Sequence, residues 1–80
     1  MPRFSRARLN KEADHFEQQA RRSDAAALSG DQDAKDPTLG PCTKNAAARA
    51  ASNARSKARE FRHIAAELRT GEIPDNVQLD

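Results

Sequence analysis

Gly40-Pro41-Cys42-Thr43-Lys44-Asn45 is the stretch whose residue types and spacing come nearest to a chemical site. A Gly-Pro turn leads there into a run rich in Ala and Arg, and Arg49 follows within roughly two helical turns. Backbone amides at a helix start sit at the positive end of the helix dipole and bind anions. Thr43 adds a hydroxyl, Asn45 an amide, and Lys44 and Arg49 add positive charge, while Gly40 lets the backbone approach closely. This chemistry predicts capture of a phosphate-bearing anion. Arg59 or an N-terminal arginine is expected to join from a neighbouring helix of an oligomer, because a planar guanidinium meets phosphate oxygens in pairs. The plainer reading of the same residues is Thr43 as the cap of an ordinary helix.

Catalysis finds no such support. The chain has no Gly-rich phosphate loop, no His-Glu-x-x-His motif and no Ser or Cys nucleophile beside a placed base. His15 and His63 fall on different helical stretches and read as solvated surface groups, although His63 and Glu67 stand one turn apart. The expectation is a protein without enzymatic activity, cofactor or metal site. Cys42 is the single cysteine, which excludes an intrachain disulfide and a zinc framework and fits a reducing, cytoplasmic setting. No apolar run approaches the roughly 18 residues that cross a membrane.

The elements that must position these residues are helices. Of 80 residues 16 are Ala, Leu, Ile, Val and Phe together number 11, and Trp and Tyr are absent. Ser5 is placed to cap a first helix over residues 6–29, with Gly30 expected to close it in the left-handed conformation. Asp36-Pro37 and Gly40-Pro41 mark a loop over 30–42. Thr43 is then expected to cap a second helix over 43–70, stopped by Gly71, with Pro74 preventing a restart. Residues 1–71 form the hairpin domain on this reading. The acidic tail, 72–80, is expected to be extended or disordered. Net charge is +2 but uneven: residues 43–70 carry seven Lys or Arg against only Glu60 and Glu67.

Both helices carry heptad seams. Ala47, Ala51, Ala54, Ala58, Phe61, Ala65 and Leu68 recur at spacings of four and three, as do Leu9, Ala13, Phe16, Ala20, Ser23 and Ala27. Folded as an antiparallel hairpin, one register sets Leu9 beside Ala65, Ala13 beside Phe61, Phe16 beside Ala58 and Ala20 beside Ala54. It also sets Ser23 beside Ala51 and Ala27 beside Ala47. Every large residue then faces a small one. The edges agree in sign, with Glu17 between Arg55 and Arg62 and Asp24 near Arg55. Below roughly 70–80 residues a single core rarely supplies more than ~3–5 kcal/mol. The all-α hairpin is therefore expected to oligomerise into a helical bundle, a dimer being simplest, through a strip of Ile64, Ala50, Ala46 and Ala26.

That architecture is similar to the dimeric helix-hairpin bundles of the ROP type, which bind RNA, although no sequence motif is shared. Small helical chains of this kind are common among phage and plasmid accessory proteins. The resulting expectation is a non-enzymatic homo-oligomer that sequesters an anionic small molecule of the nucleotide class at Thr43, Lys44, Asn45, Arg49 and Arg59. Two alternatives stand beside it. One is a protein–protein inhibitor or adaptor, and the other is an RNA- or DNA-binding accessory protein. The second is weakened by the acidic loop and tail and by the lack of aromatic residues free for stacking.

Overall fold

A computed structural model describes residues 4–74 and 77. Two helices, α1 (Arg6–Ala34) and α2 (Pro41–Arg69), fold back on one another into a hairpin about 55 Å long and 18 Å across. Ser5 opens α1 as its sequence position requires: its hydroxyl accepts from the Arg8 amide at 3.1 Å. At the far end of α2 the chain leaves through Gly71 at φ +92°, the only positive φ among the described residues. The Gly71 amide donates to the Leu68 carbonyl and the Glu72 amide to that of Glu67, each at 3.1 Å. That pair of bonds is the Schellman stop that a glycine after the last turn permits.

Two helix boundaries differ from the sequence expectation. α1 does not close at Gly30 but runs one further turn to Ala34. A Cβ built at Gly30 would lie 2.9 Å from the Ala47 carbonyl oxygen and 3.0 Å from the Ala51 Cβ. The missing side chain thus serves helix–helix approach rather than a left-handed turn. α2 starts at Pro41, not Thr43: Gly40 is the cap, with no side-chain hydrogen bond, and Pro41 occupies the first helical position. Proline suits that position because its absent N–H would have had no helical partner. The connection shrinks to residues 35–40. There the Asp36 carboxylate accepts from the Thr38 hydroxyl at 2.6 Å and the Thr38 amide at 2.8 Å. Those bonds hold the Asp36 carboxyl below the usual carboxylate range, the hydroxyl contributing most. The small stabilisation they bring to the turn is present above the ordinary Asp pKa and is lost as pH falls through the lowered one.

The bare Gly40 cap yields a first prediction. Gly40→Ser supplies the missing acceptor in an already extended backbone (φ −72°, ψ 161°) and meets nothing within 4 Å. It should raise stability by about 0.5–1 kcal/mol, part from the cap and part from a less flexible unfolded chain. A thermal melt lower than that of the parent would contradict this.

The seam is the expected one. Leu9, Ala13, Ala20 and Ala27 are buried on α1, and Ala51, Ala58, Ala65 and Leu68 on α2. The register is not. Phe16 packs against Phe61 with ring centroids 6.0 Å apart, where Ala13 was expected. Gly30 sits between Ala47 and Ala51, which were expected beside Ala27 and Ser23, so the helices have slipped toward a register one heptad along. The larger side chains gather at the open end, where Leu9, Ile64 and Leu68 form a cluster with Ala13 and Ala65, and Phe4, Phe16 and Val77 pack against it. Toward the loop end the buried residues are Ala27 and Ala51, with Gly30 in close contact. Ile64 is 6% exposed and belongs to this core, so it is not available to an outer strip as the sequence suggested. In the segment beyond α2, Glu72, Ile73 and Pro74 are non-helical and Val77 returns to the core; the other tail residues lie outside the described ones.

Candidate functional site

Electrostatics divide the hairpin lengthwise. Along one edge the acids of α1 meet the arginines of α2 in a ladder: Asp31 with Arg55, Asp24 with Arg62, and Glu17 and Asp14 with Arg69. Arg69 reaches Asp14 at 2.6 Å and Glu17 at 3.1 Å, and these two carboxylates, Glu17 first, push its already high pKa further up. It remains charged at any working pH. Glu17 and Asp24 are the acidic edge residues that the heptads single out, each now one heptad along, at an arginine beyond its expected partner; Asp14 and Asp31 are additions. A slip of the two helices by one heptad moves every rung in this way, and Gly30 stands against Ala51, where Ser23 was expected, seven residues away. Asp31 becomes a rung because α1 continues past Gly30.

What the ladder leaves over is basic. From Pro41 to Arg59, α2 contains no Asp or Glu, and among the described residues Lys44, Arg49, Lys57 and Arg59 have no ion pair. The structure does not gather the five sequence-nominated residues into one pocket. Consecutive helical residues face different ways. Thr43 is exposed in the first turn of α2, and its expected role as the cap belongs to Gly40. Lys44 is half-buried and lies on the ladder edge, in helical phase with Arg55 and Arg62.

Asn45, Arg49 and Arg59 do share a face. With Ser52 and Ser56 they recur at spacings of four and three on the side of α2 opposite the seam, and all five are exposed. Arg59 donates to the Ser56 hydroxyl at 3.3 Å. The two serines were not singled out from sequence, and their heptad phase with Asn45 and Arg49 was the available signal. The stripe offers hydrogen-bond donors and no carboxylate, and Arg49 and Arg59 stand roughly 15 Å apart along the helix. The chain matches no family model, no curated protein and no solved structure.

Neither histidine joins this stripe's chemistry. His15 is exposed and lies edge-on to Phe16 at 5.8 Å, and His63 Nε2 sits 2.7 Å from Glu67 Oε1. Among the described residues no group of three or more potential metal ligands gathers at one point. Likewise, no helix of the described residues is long and apolar enough to cross a membrane.

Two open grooves lie on the flank away from the ladder. One, of about 430 Å³, has an alanine floor (Ala26, Ala50 and Ala54) between Arg22 and Lys57. The next along α2, of about 440 Å³, is bordered by Glu60, Glu67 and Glu72, with His63 and Ile73.

Proposed function

We propose that this chain is a non-enzymatic, homo-oligomeric binding protein whose ligand is a phosphate-bearing anion of the nucleotide class, sequestered rather than transformed. The observation that supports this reading is the acid-free length of α2 and its outward stripe of donors. Phosphate oxygens are acceptors only, and each of Asn45, Arg49, Ser52, Ser56 and Arg59 can donate to them. No neighbouring carboxylate on that stripe competes. The amides of the first turn of α2 extend the positive field at one end.

A second reading, grip on RNA or DNA, is favoured by one feature. The two arginines are spaced along the outer face of a helix rather than around a cavity, as suits successive backbone phosphates. Salt dependence separates the two. Affinity for duplex nucleic acid should fall with a log–log slope near −0.9 per phosphate contacted, and affinity for a mononucleotide far less steeply.

The test is direct because the chain has no Trp or Tyr. It absorbs almost nothing at 280 nm, and a retained nucleobase would dominate its spectrum near 260 nm. Arg49→Glu with Arg59→Glu should abolish calorimetric binding of nucleotides or short nucleic acids while helicity by circular dichroism stays as in the parent. Both side chains are exposed and off the seam. If the parent gives no heat and no thermal shift with mononucleotides, dinucleotides, RNA or DNA, the reading fails and the protein–protein reading replaces it.

A further inference from the structure

We infer that two copies of the chain pack through the grooved flank, antiparallel about a two-fold axis passing between Lys57 and Glu60, so that the acidic groove of each covers the basic groove of the other. This rests on the homo-oligomeric part of the proposed function and specifies the face that carries it.

The two flanks of the hairpin are unlike. The ladder flank has its charges paired within the chain. The grooved flank has no ion pair linking α1 to α2 among the described residues, and its charges are sorted along α2. Lys57, with Arg22 across from it on α1, borders one groove; Glu60, Glu67 and Glu72 border the other. Of these, Arg22, Lys57, Glu60 and Glu72 have no ion pair among the described residues. Lys57 and Glu60 stand three residues apart, on one helical face, at the boundary between the two grooves.

A sorted strip of this kind is complementary to itself when reversed. In a two-fold interface residue i meets residue j and j meets i. With the axis between Lys57 and Glu60, each Lys57 lies beside the second copy's Glu60, and the Arg22–Lys57 groove faces the second copy's acidic groove. A parallel arrangement would stack Lys57 on Lys57 and Glu60 on Glu60, which like-charge repulsion disfavours. Exposed Ala46 and Ala50 on this flank let two helices approach closely. Ile73, 40% exposed just beyond the end of α2, comes opposite the second copy's first turns, where Ala46 offers an apolar seat. The charges set orientation; burial of the alanines and Ile73 supplies attraction. The donor stripe lies on the next face of α2.

The test uses two charge-reversed forms of the full chain. Arg22→Glu with Lys57→Glu makes the flank wholly acidic, and Glu60→Lys with Glu72→Lys makes it predominantly basic. All four side chains are exposed, and circular dichroism should show both forms helical. By sedimentation velocity each form alone should dimerise at least about ten-fold more weakly than the parent, and an equimolar mixture should recover the parental mass. A dimeric parent whose reversed forms each stay dimeric, or whose mixture stays monomeric, overturns this interface but leaves the oligomeric reading standing. A monomeric parent up to high micromolar concentration overturns both. Should a reversed form lose helicity, Lys57→Gln with Glu60→Gln carries the same test: weaker dimerisation supports the interface and unchanged dimerisation overturns it.

Discussion

Leu68→Ala should leave the isolated hairpin at or below the edge of folding. Leu68 is 1% exposed and is the largest side chain among the described residues to be so fully enclosed. It sits in the open-end cluster with Leu9 and Ile64, the only other buried residues larger than alanine among those described. Truncating a buried leucine removes the transfer energy of its methyl groups and leaves a cavity, together ~2–5 kcal/mol. A core of this size supplies about that much in all. Arg69 and Gly71, just beyond it, anchor the end of α2 through the ladder and the Schellman stop, so fraying from Leu68 would release both. Circular dichroism at low micromolar concentration should show a lost or much lowered thermal transition. Recovery at high protein concentration would place the remaining stability in the interface between copies. Phe61→Ala should cost less than a fully buried aromatic would, because Phe61 is only half-buried. A Leu68→Ala melt matching the parent would show that the open-end cluster is not what holds the helices together.

The hairpin, its seam and the sign of its edges were legible because they rest on periodicity. Residues at heptad spacing share a face whatever the partner does. Ser5 and Gly71 were legible because each satisfies a local need of one helix end. Register was not, and Phe16 shows why. Pairing it with Ala58 satisfies a rule of alternating sizes, but so many seam positions are alanine that a shift of one heptad, which sets it beside Ala65, satisfies that rule equally well. The shift also brings Phe16 and Phe61 together beside the large residues of the open end. The ladder was displaced with it, each acid meeting the arginine one heptad beyond the expected one. The nominated anion site rests on a different matter, the direction of side chains around one helix. Thr43, Lys44 and Asn45 are neighbours in sequence and therefore point to different sides of α2. Arg49 and Arg59, ten residues apart, differ by about 80° around α2 and are joined into one outward face by Ser52 and Ser56 between them.

Gly30→Ala should destabilise the hairpin, against the usual direction for a helix interior. Replacing glycine by alanine there ordinarily gains roughly 0.5–1 kcal/mol through a stiffer backbone. At Gly30 the new methyl would meet the Ala47 carbonyl oxygen at 2.9 Å and the Ala51 methyl at 3.0 Å. The first of these is main chain and cannot rotate away, so the two helices must part at the loop end. Overpacking of a close interface costs ~1–3 kcal/mol, which exceeds the gain over most of that range. Parting the helices would also stretch the Asp31–Arg55 rung one residue away. Gly30→Val adds two more methyl groups at the same point and should fall further. Ala54→Leu, the substitution that the expected register would make most disruptive, should be better tolerated, because Ala54 is half-buried on the floor of an open groove. Thermal melts of the three variants beside Gly40→Ala, where a methyl meets no atom within 4 Å, rank them directly. Gly30→Ala melting at or above the parent, with Ala54→Leu the worst, would place the close contact at Ala54 and restore the register in which Ala20 faces it.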